Sequence, residues 1–177
     1  MKKLIFLPID LEIININYSV ESQIEKTFGG LWDTKFVSPN NPQLADIIKQ
    51  LPYQRISLIK YNSQVTDIPP HVDIQPSYVK IPNEYEHIIL NEPAGYRILL
   101  SGKIDKLEVF DGKIWRTAQL PICPFAYVIN STETKHRIIG ETGRKTLYFR
   151  GFLDSKKHRE LINKNLERFK EYAIYTQ

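Results

Sequence analysis

The chain of 177 residues is 42% hydrophobic and 25% charged, which fits one globular domain with a sizeable core over residues 1–177. Its formal net charge of +4 comes from Lys and Arg residues that alternate with Asp and Glu along the chain, so we expect no nucleic-acid partner. The single cysteine excludes an internal disulfide, and no stretch reaches the roughly 20 apolar residues of a membrane-spanning helix, so we expect a soluble cytoplasmic protein without a membrane partner.

The first 54 residues are predicted to contain both strands and helices. Residues 4–16 predict one or two strands, and residues 22–28 predict a short helix that Ser22 would open as N-cap. A second helix should follow Asn41, because asparagine caps well and Pro42 suits the first helical position. Its apolar residues have helical spacing: Leu44, Ile47, Ile48 and Leu51.

The middle of the chain is predicted to be almost entirely β, because short apolar runs are separated by Pro, Gly and Asn. Two strands joined by a turn are expected between residues 55 and 68. Five more are expected at residues 96–100, 106–110, 126–130, 136–139 and 146–152. Helical spacing returns after Asp154 or Ser155 as N-cap, with one apolar stripe formed by Leu161, Ile162, Leu166, Phe169 and Ala173.

Many short antiparallel strands between terminal helices favour a mainly β fold with flanking helices. We expect a jelly-roll core, a double-stranded β-helix, over about residues 55–152. Strands and a helix in residues 1–54 would precede it, and a C-terminal helix over about residues 155–173 would follow it. This architecture selects no function, since the same fold serves sugar binders, capsid proteins and metal enzymes.

The motif with the most chemical content is Pro69-Pro70-His71-Val72-Asp73. Residues two apart in a strand point to the same face, so His71 and Asp73 can present an imidazole and a carboxylate to one metal ion. A third ligand would complete the triad of two histidines and one carboxylate that suits non-haem iron(II). Such a tripeptide also arises by chance, and His71 would then be an ordinary core or surface histidine.

Three other histidines are candidates for the third ligand. His158 lies in a charged run and is predicted to lie on the solvent side of the terminal helix. His87 lies in a polar part of the long connection over residues 77–93, a candidate lid or substrate loop. His136 precedes an apolar pair and is the best placed. The predicted metal site, which is also the predicted catalytic centre, therefore comprises His71, Asp73 and His136.

Arg144 follows His136 and opens a predicted strand. A dicarboxylate that binds a metal at one end needs a cation at the other, and a planar guanidinium can donate two parallel hydrogen bonds to it. Alternation places Thr146, Tyr148 and Arg150 on the same face as Arg144, so Thr146 and Tyr148 could add hydroxyl donors. On spacing alone, Arg144 and Arg150 fit equally well as surface residues paired with Asp or Glu.

Four segments in order carry a family resemblance: residues 56–73, with PPHVD at their end, 96–100 (YRILL), 125–130 (FAYVIN) and 136–147. They resemble the PPHxD entry, the YRxHL strand, the strand before the distal histidine and the HxVxNxGxxRxxL segment of the aspartyl/asparaginyl β-hydroxylase-like family. These are iron(II)- and 2-oxoglutarate-dependent oxygenases related to free amino acid hydroxylases such as proline hydroxylases. The resemblance covers about residues 55–152.

The resemblance implies that His71, Asp73 and His136 hold iron(II) and that Arg144 binds the distal carboxylate of 2-oxoglutarate. It places Arg97 in the pocket, holding either 2-oxoglutarate or an acidic group of the substrate. The implied reaction hydroxylates an unactivated C–H bond of a small molecule or peptide side chain and gives succinate and CO2. Tyr127, Tyr148 and Trp115 are further candidates for lining that pocket, although core packing is the favoured role for each of these aromatic residues.

The chain departs from the family pattern, so alternatives stay open. Leucine replaces the family's histidine in YRxHL. The turn before Arg144 is shorter than usual, so Lys145 and Arg150 stay open as alternatives to Arg144 for binding the distal carboxylate. The presence of Asp73 favours branches that act on free amino acids. The other classes are a cupin-like metal enzyme that does not use 2-oxoglutarate and a non-catalytic jelly-roll binding module.

Overall fold

A computed structural model describes residues 2–12, 25–27, 32–64, 66–73, 95–104, 106–122, 124–140 and 143–177. The strands in these ranges are β1 (Leu4–Ile9), β2 (Glu25–Thr27), β3 (Trp32–Val37), β4 (Tyr53–Gln64), β5 (Ile68–His71), β6 (Gly95–Ser101), β7 (Leu107–Phe110), β8 (Trp115–Thr117), β9 (Phe125–Ile129), β10 (His136–Ile138), β11 (Lys145–Leu153) and β12 (Ile174–Tyr175). The helices are α1 (Ala45–Gln50) and α2 (Ser155–Phe169), with 3-10 turns at Pro42–Leu44 and Lys170–Tyr172.

These strands form two antiparallel sheets. The larger sheet has the order β12-β1-β9-β6-β11-β4-β3-β2, and the smaller has the order β5-β10-β7-β8. The mainly β fold with flanking helices is therefore confirmed. No helix in the described part of the chain is long and apolar enough to cross a membrane.

The larger sheet buries both of its faces. One face packs against the helices, where Leu147 and Phe149 of β11 share a core with Ile162 and Phe169 of α2. The other face meets the smaller sheet in a second core. The larger sheet contributes Ile5, Phe6, Tyr127 and Ile129 to it, and the smaller sheet contributes Ile68, Leu107, Val109 and Ile138. Because side chains alternate along a strand, every second residue of β4, β6 and β11 reaches the space between the sheets.

Most predicted elements are present, and one is wrong. The predicted helix over residues 22–28 contains Glu25–Thr27, which form a strand paired with β3; the rest of that prediction lies outside the described residues. Sheet pairing overrides the weak local helix signal here. The second predicted helix is confirmed, since Asn41 Oδ1 accepts a hydrogen bond from the Gln43 amide at 2.9 Å. The predicted loop over residues 77–93, with His87, is also outside the described ranges.

Helix α2 begins as predicted, but one of its residues, His158, is buried and not exposed as predicted. Asp154 caps it by accepting hydrogen bonds from the Lys156 and Lys157 amides, each at 3.1 Å. The prediction that His158 faces solvent is wrong, since its exposed fraction is 0%. Helical phase places His158 on the same side as the buried Ile162, and Tyr96 Oη lies 2.8 Å from His158 Nδ1. The charged residues on either side of His158 had suggested an exposed position.

Burial, with a smaller contribution from the charge of the adjacent Arg159, lowers the pKa of His158 to about 4. Below the ordinary pKa of 6.5 the unfolded chain binds a proton that the folded chain does not, so stability falls as the pH drops towards 4. We expect this group alone to remove about 3 kcal/mol of unfolding free energy between neutral pH and pH ~4. Urea denaturation of wild type and His158→Gln at both pH values measures it. Equal losses in the two proteins would contradict the assignment, because the other acid-sensitive groups are common to both.

Strand β11 has a bulge at Gly151, where its register against β4 shifts. A Cβ atom at Gly151 would lie 2.7 Å from Ile56 Cα and closer still to the Arg55 carbonyl oxygen, so the two backbones approach too closely for any side chain. Gly151→Ala should therefore lower the free energy of unfolding by about 3 kcal/mol in urea titrations. The control is Lys145→Ala at an exposed position of the same strand. Similar losses in both variants would show that backbone contact at Gly151 is unimportant.

Candidate metal centre

A cavity of about 330 Å³ lies between the two sheets. Strands β3, β4, β6, β9 and β11 form its floor, and the smaller sheet with the residues after β5 forms its wall. The floor residues are Thr34, Leu58, Lys60, Asn62, Arg97, Tyr127, Ile129, Arg144, Thr146, Tyr148 and Arg150. The wall residues are His71, Val72, Asp73, Leu107, His136 and Ile138. The cavity thus contains the seven residues that were predicted to bind the metal or the co-substrate: His71, Asp73, Arg97, His136, Arg144, Thr146 and Tyr148.

The predicted ligands come together because β5 and β10 are neighbours in the smaller sheet. His136 lies directly opposite His71 in their pairing, and the ring centroids are 4.2 Å apart. Asp73 lies just after β5, where its amide donates to the Ser131 carbonyl oxygen at 2.7 Å. Asp73 Oδ1 is then 3.6 Å from Nε2 of each histidine.

Both histidines have their Nδ1 atoms occupied by the backbone. His71 Nδ1 lies 2.8 Å from the Pro69 carbonyl oxygen, and His136 Nδ1 lies 3.2 Å from the Thr134 carbonyl oxygen. A carbonyl oxygen only accepts, so Nδ1 carries the proton and donates in each ring. The Nε2 atoms therefore face Asp73 and the space beside it, as in metal-binding histidines held by an outer partner.

The electrostatics keep Asp73 ionised. Burial acts to raise the pKa of Asp73, but the hydrogen bond with His71 and the charge of Arg97 outweigh burial and hold that pKa well below its usual range. Arg97 Nη2 donates to Asp73 Oδ2 at 2.6 Å, and Arg150 Nη2 lies 3.8 Å from the same oxygen. Asp73 thus offers Oδ1 to the histidines while Oδ2 faces the guanidinium groups.

The two imidazoles differ in their titration. Burial lowers the pKa of His136 to about 4, so this ring is neutral near pH 7. Burial also acts to lower the pKa of His71, but the hydrogen bond with Asp73 outweighs it, and the pKa lies above the ordinary value. A cation bound beside Asp73 would take the place of the proton on His71, since metal binding releases protons from its ligands.

The donor set fits a metal ion. The candidate donor atoms of His71, Asp73 and His136 all lie within 4.8 Å of one another. Two atoms bound to one ion at about 2.1 Å each are at most about 4.2 Å apart, and both distances to Asp73 Oδ1, 3.6 Å, meet that limit. Neutral imidazoles with one carboxylate are ligands for divalent first-row metals. This group could therefore bind a metal ion.

Arg144 lies at the floor of the same cavity and is 2% exposed, so the alternative of a surface residue is wrong. Its Nη2 donates to Tyr127 Oη at 2.7 Å, whereas Nε and Nη1 are buried without a hydrogen-bond partner among the described residues. Gly102, at φ +87°, packs so closely on Arg144 that an added Cβ would be 2.9 Å from its Cα. A buried donor without a hydrogen-bond partner destabilises the fold. An anion in the cavity that accepted hydrogen bonds from Nε and Nη1 of Arg144 would remove this cost.

The other predicted pocket residues have distinct places. Thr146 and Tyr148 share the cavity face of β11, as alternation predicted. Two guanidinium groups lie against the Tyr148 ring, with Arg97 Cζ at 4.4 Å and Arg150 Cζ at 5.3 Å from its centroid. Lys145, an alternative anchor, is exposed and does not line the cavity, whereas Arg150 does.

The prediction that Trp115 lines the pocket is wrong. It lies on β8 at the edge of the smaller sheet, where it packs against Phe110 and under the guanidinium of Arg137. Sequence reasoning also missed Lys60 and Asn62, which line the cavity from β4. The signal was available, since these polar residues alternate along β4 with Ile59 and Tyr61, which pack towards the helices.

No protein-family model matches this chain, and no curated protein matches it. The geometry and chemistry of the cavity are therefore what supports a function.

Proposed function

We propose that the chain is an iron(II)- and 2-oxoglutarate-dependent oxygenase that hydroxylates an unactivated C–H bond of a small substrate, an amino acid or a peptide side chain. One observation carries the proposal. The His71–Asp73–His136 group, which could bind a metal, lines the same cavity as the buried Arg144. Nε and Nη1 of Arg144 have no hydrogen-bond partner among the described residues. Three protein ligands leave coordination positions open, and a dicarboxylate needs a cation at its far end.

Each residue then has a defined task. His71 Nε2, Asp73 Oδ1 and His136 Nε2 would hold iron(II), and Arg144 Nε and Nη1 would donate to the distal carboxylate of 2-oxoglutarate. Thr146, beside Arg144 on the cavity face, could add a hydroxyl donor. When bound, iron(II) would supply the oxidising chemistry with dioxygen as the oxidant: one oxygen atom would enter the succinate formed from 2-oxoglutarate with release of CO2, and the other would enter the substrate as hydroxyl.

The chain itself supplies placement and exclusion of water. Arg97 holds Asp73 Oδ2, which keeps Oδ1 directed at both histidines. Apolar side chains on the wall and floor, Leu107, Ile129 and Ile138, limit water near the site. The position in which these side chains hold a substrate would decide which of its C–H bonds lies closest to the metal-binding group. The two antiparallel sheets around the cavity support a jelly-roll core as part of the same proposal.

The two rival classes need fewer of these features. A cupin-like metal enzyme that does not use 2-oxoglutarate would need the His71–Asp73–His136 group. It would give no role to the Nε and Nη1 donors of Arg144. A non-catalytic binding module needs neither the ligand group nor the shared orientation of both Nε2 atoms.

Anaerobic titration of the purified protein with iron(II) and then 2-oxoglutarate tests the proposal. We expect the weak visible charge-transfer band of an iron(II)–2-oxoglutarate chelate at one equivalent of each, followed by succinate formation when oxygen is admitted. Metal binding without the band or succinate would favour the cupin-like class. A protein that binds no metal would leave the non-catalytic module as the better account.

A further inference from the structure

Tyr127 and Arg144 form a buried pair in the cavity. Arg144 Nη2 donates to Tyr127 Oη at 2.7 Å, and the exposed fractions are 0% for Tyr127 and 2% for Arg144. Tyr127 belongs to β9 and Arg144 lies just before β11, yet both side chains line the cavity. The larger sheet thus brings a phenol and a guanidinium group together on one part of the cavity surface.

Both partners of this contact are held in place. The Tyr127 ring packs on Phe6 with 5.6 Å between the ring centroids, and β9 pairs with β1 on one side and β6 on the other. The Arg144 carbonyl oxygen accepts from the Gln64 amide at 2.9 Å, and Gly102 packs against the Arg144 Cα. A fixed phenol oxygen therefore orients the guanidinium group, engaging Nη2 and leaving Nε and Nη1 for another acceptor.

The hydroxyl proton of Tyr127 needs an acceptor as well. A guanidinium group only donates, so the phenol oxygen accepts from Arg144 and must direct its own proton elsewhere. Within the described part of the chain, the hydrogen bond from Arg144 is the one that this hydroxyl makes. An anion that accepted from the phenol and from Arg144 together would satisfy donors on both side chains.

We propose that Tyr127 and Arg144 bind the distal carboxylate of 2-oxoglutarate as a pair, with Tyr127 orienting the guanidinium group and donating its own hydroxyl proton to the carboxylate. This inference rests on the proposed function and adds a residue that selects the co-substrate. The pair favours a 2-oxo acid with a second carboxylate, because an apolar chain end would leave these buried donors without an acceptor.

The test compares two 2-oxo acids on protein loaded anaerobically with iron(II). Both 2-oxoglutarate and 2-oxopentanoate can chelate a metal through the keto group and the adjacent carboxylate, but 2-oxopentanoate ends in a methyl group. Titration of the charge-transfer band gives each affinity. We expect Tyr127→Phe to weaken 2-oxoglutarate at least about tenfold and to change 2-oxopentanoate less than about twofold. Cobalt(II) absorption without co-substrate should show wild-type metal affinity in this variant.

Tyr96→Phe is the matched control for the loss of a buried phenol. Tyr96 is 1% exposed and its hydroxyl also has a side-chain partner, since Oη lies 2.8 Å from His158 Nδ1, but it does not line the cavity. This variant should bind both acids like wild type. Equal losses in Tyr96→Phe and Tyr127→Phe would overturn the inference, because the effect would then be a general one.

Three further results for Tyr127→Phe would overturn the inference: wild-type affinity for 2-oxoglutarate, equal weakening of both acids, or reduced metal affinity. If 2-oxopentanoate binds wild type too weakly to measure, the Arg144→Met background replaces that comparison. Tyr127→Phe should then weaken 2-oxoglutarate less in that background than in wild type, and equal losses in both would contradict the pairing. A wild-type protein that forms no band with either acid identifies failure of the proposed function instead.

Discussion

Replacing Arg144 by methionine is expected to weaken 2-oxoglutarate binding at least about 100-fold, with metal affinity near the wild-type value. Methionine fills similar space but removes the buried donors Nε and Nη1, which have no partner among the described residues. The His71–Asp73–His136 group does not contact Arg144 through any hydrogen bond described for it. Anaerobic titration of the charge-transfer band gives the 2-oxoglutarate affinity, and cobalt(II) absorption without co-substrate gives the metal affinity.

The matched control is Lys145→Met, which removes the same charge from the next residue of the chain. Lys145 is exposed whereas Arg144 is 2% exposed, so the control should bind 2-oxoglutarate like wild type. Equal losses of 2-oxoglutarate affinity in the two variants would show that only the net charge of the protein matters, and not the position of Arg144. Normal binding by Arg144→Met together with loss in Arg150→Met would move the anchor to Arg150, the alternative that also lines the cavity.

Replacing His136 by alanine is expected to reduce metal affinity by at least about 100-fold. Loss of a residue that only orients a metal ligand already lowers the affinity by up to about that factor, and loss of the ligand itself should lower it at least as much. Only two of the three donor atoms, His71 Nε2 and Asp73 Oδ1, would then remain to bind the metal ion. Ile139→Ala, at an exposed position just after β10, is the control for local disturbance.

Competition with a coloured iron(II) chelator measures the affinities of wild type and both variants. Far-ultraviolet circular dichroism shows whether His136→Ala keeps its sheets, since the substitution also leaves a gap at a buried position. A variant that is folded and still binds iron(II) like wild type would remove His136 from the ligand set. Loss of affinity in Ile139→Ala as well would point to a general effect on β10.

The parts of the site that depend on local spacing were predictable from sequence. His71 and Asp73 are two residues apart. Thr146 and Tyr148 alternate along β11, and Arg144, just before that strand, continues the same spacing, so the two-residue period of a strand places them on one face. His136 is different, because its distance from His71 depends on the pairing of β5 with β10. Elimination among four histidines selected it, and one of the grounds used, that His158 faces solvent, was wrong.

The errors share a physical cause. The environment of His158, Trp115 and Glu25–Thr27 depends on what the rest of the fold packs against them, which local composition does not contain. Charged neighbours made a buried helical position look exposed, and an aromatic residue at a sheet edge looked like a pocket residue. Lys60 was missed although its alternation with Ile59 and Tyr61 was visible, because a lysine on a strand is usually exposed to solvent.

The backbone acceptors of the two histidines have a consequence for how this site can change. Each ring is oriented by the carbonyl of the residue two positions earlier, Pro69 for His71 and Thr134 for His136. Main-chain oxygens are present whatever the side chain, so substitutions around the cavity leave both ring orientations in place. The walls can thus be redesigned for a different ligand without rebuilding the imidazole pair, which makes this cavity a suitable starting point for engineering altered selectivity.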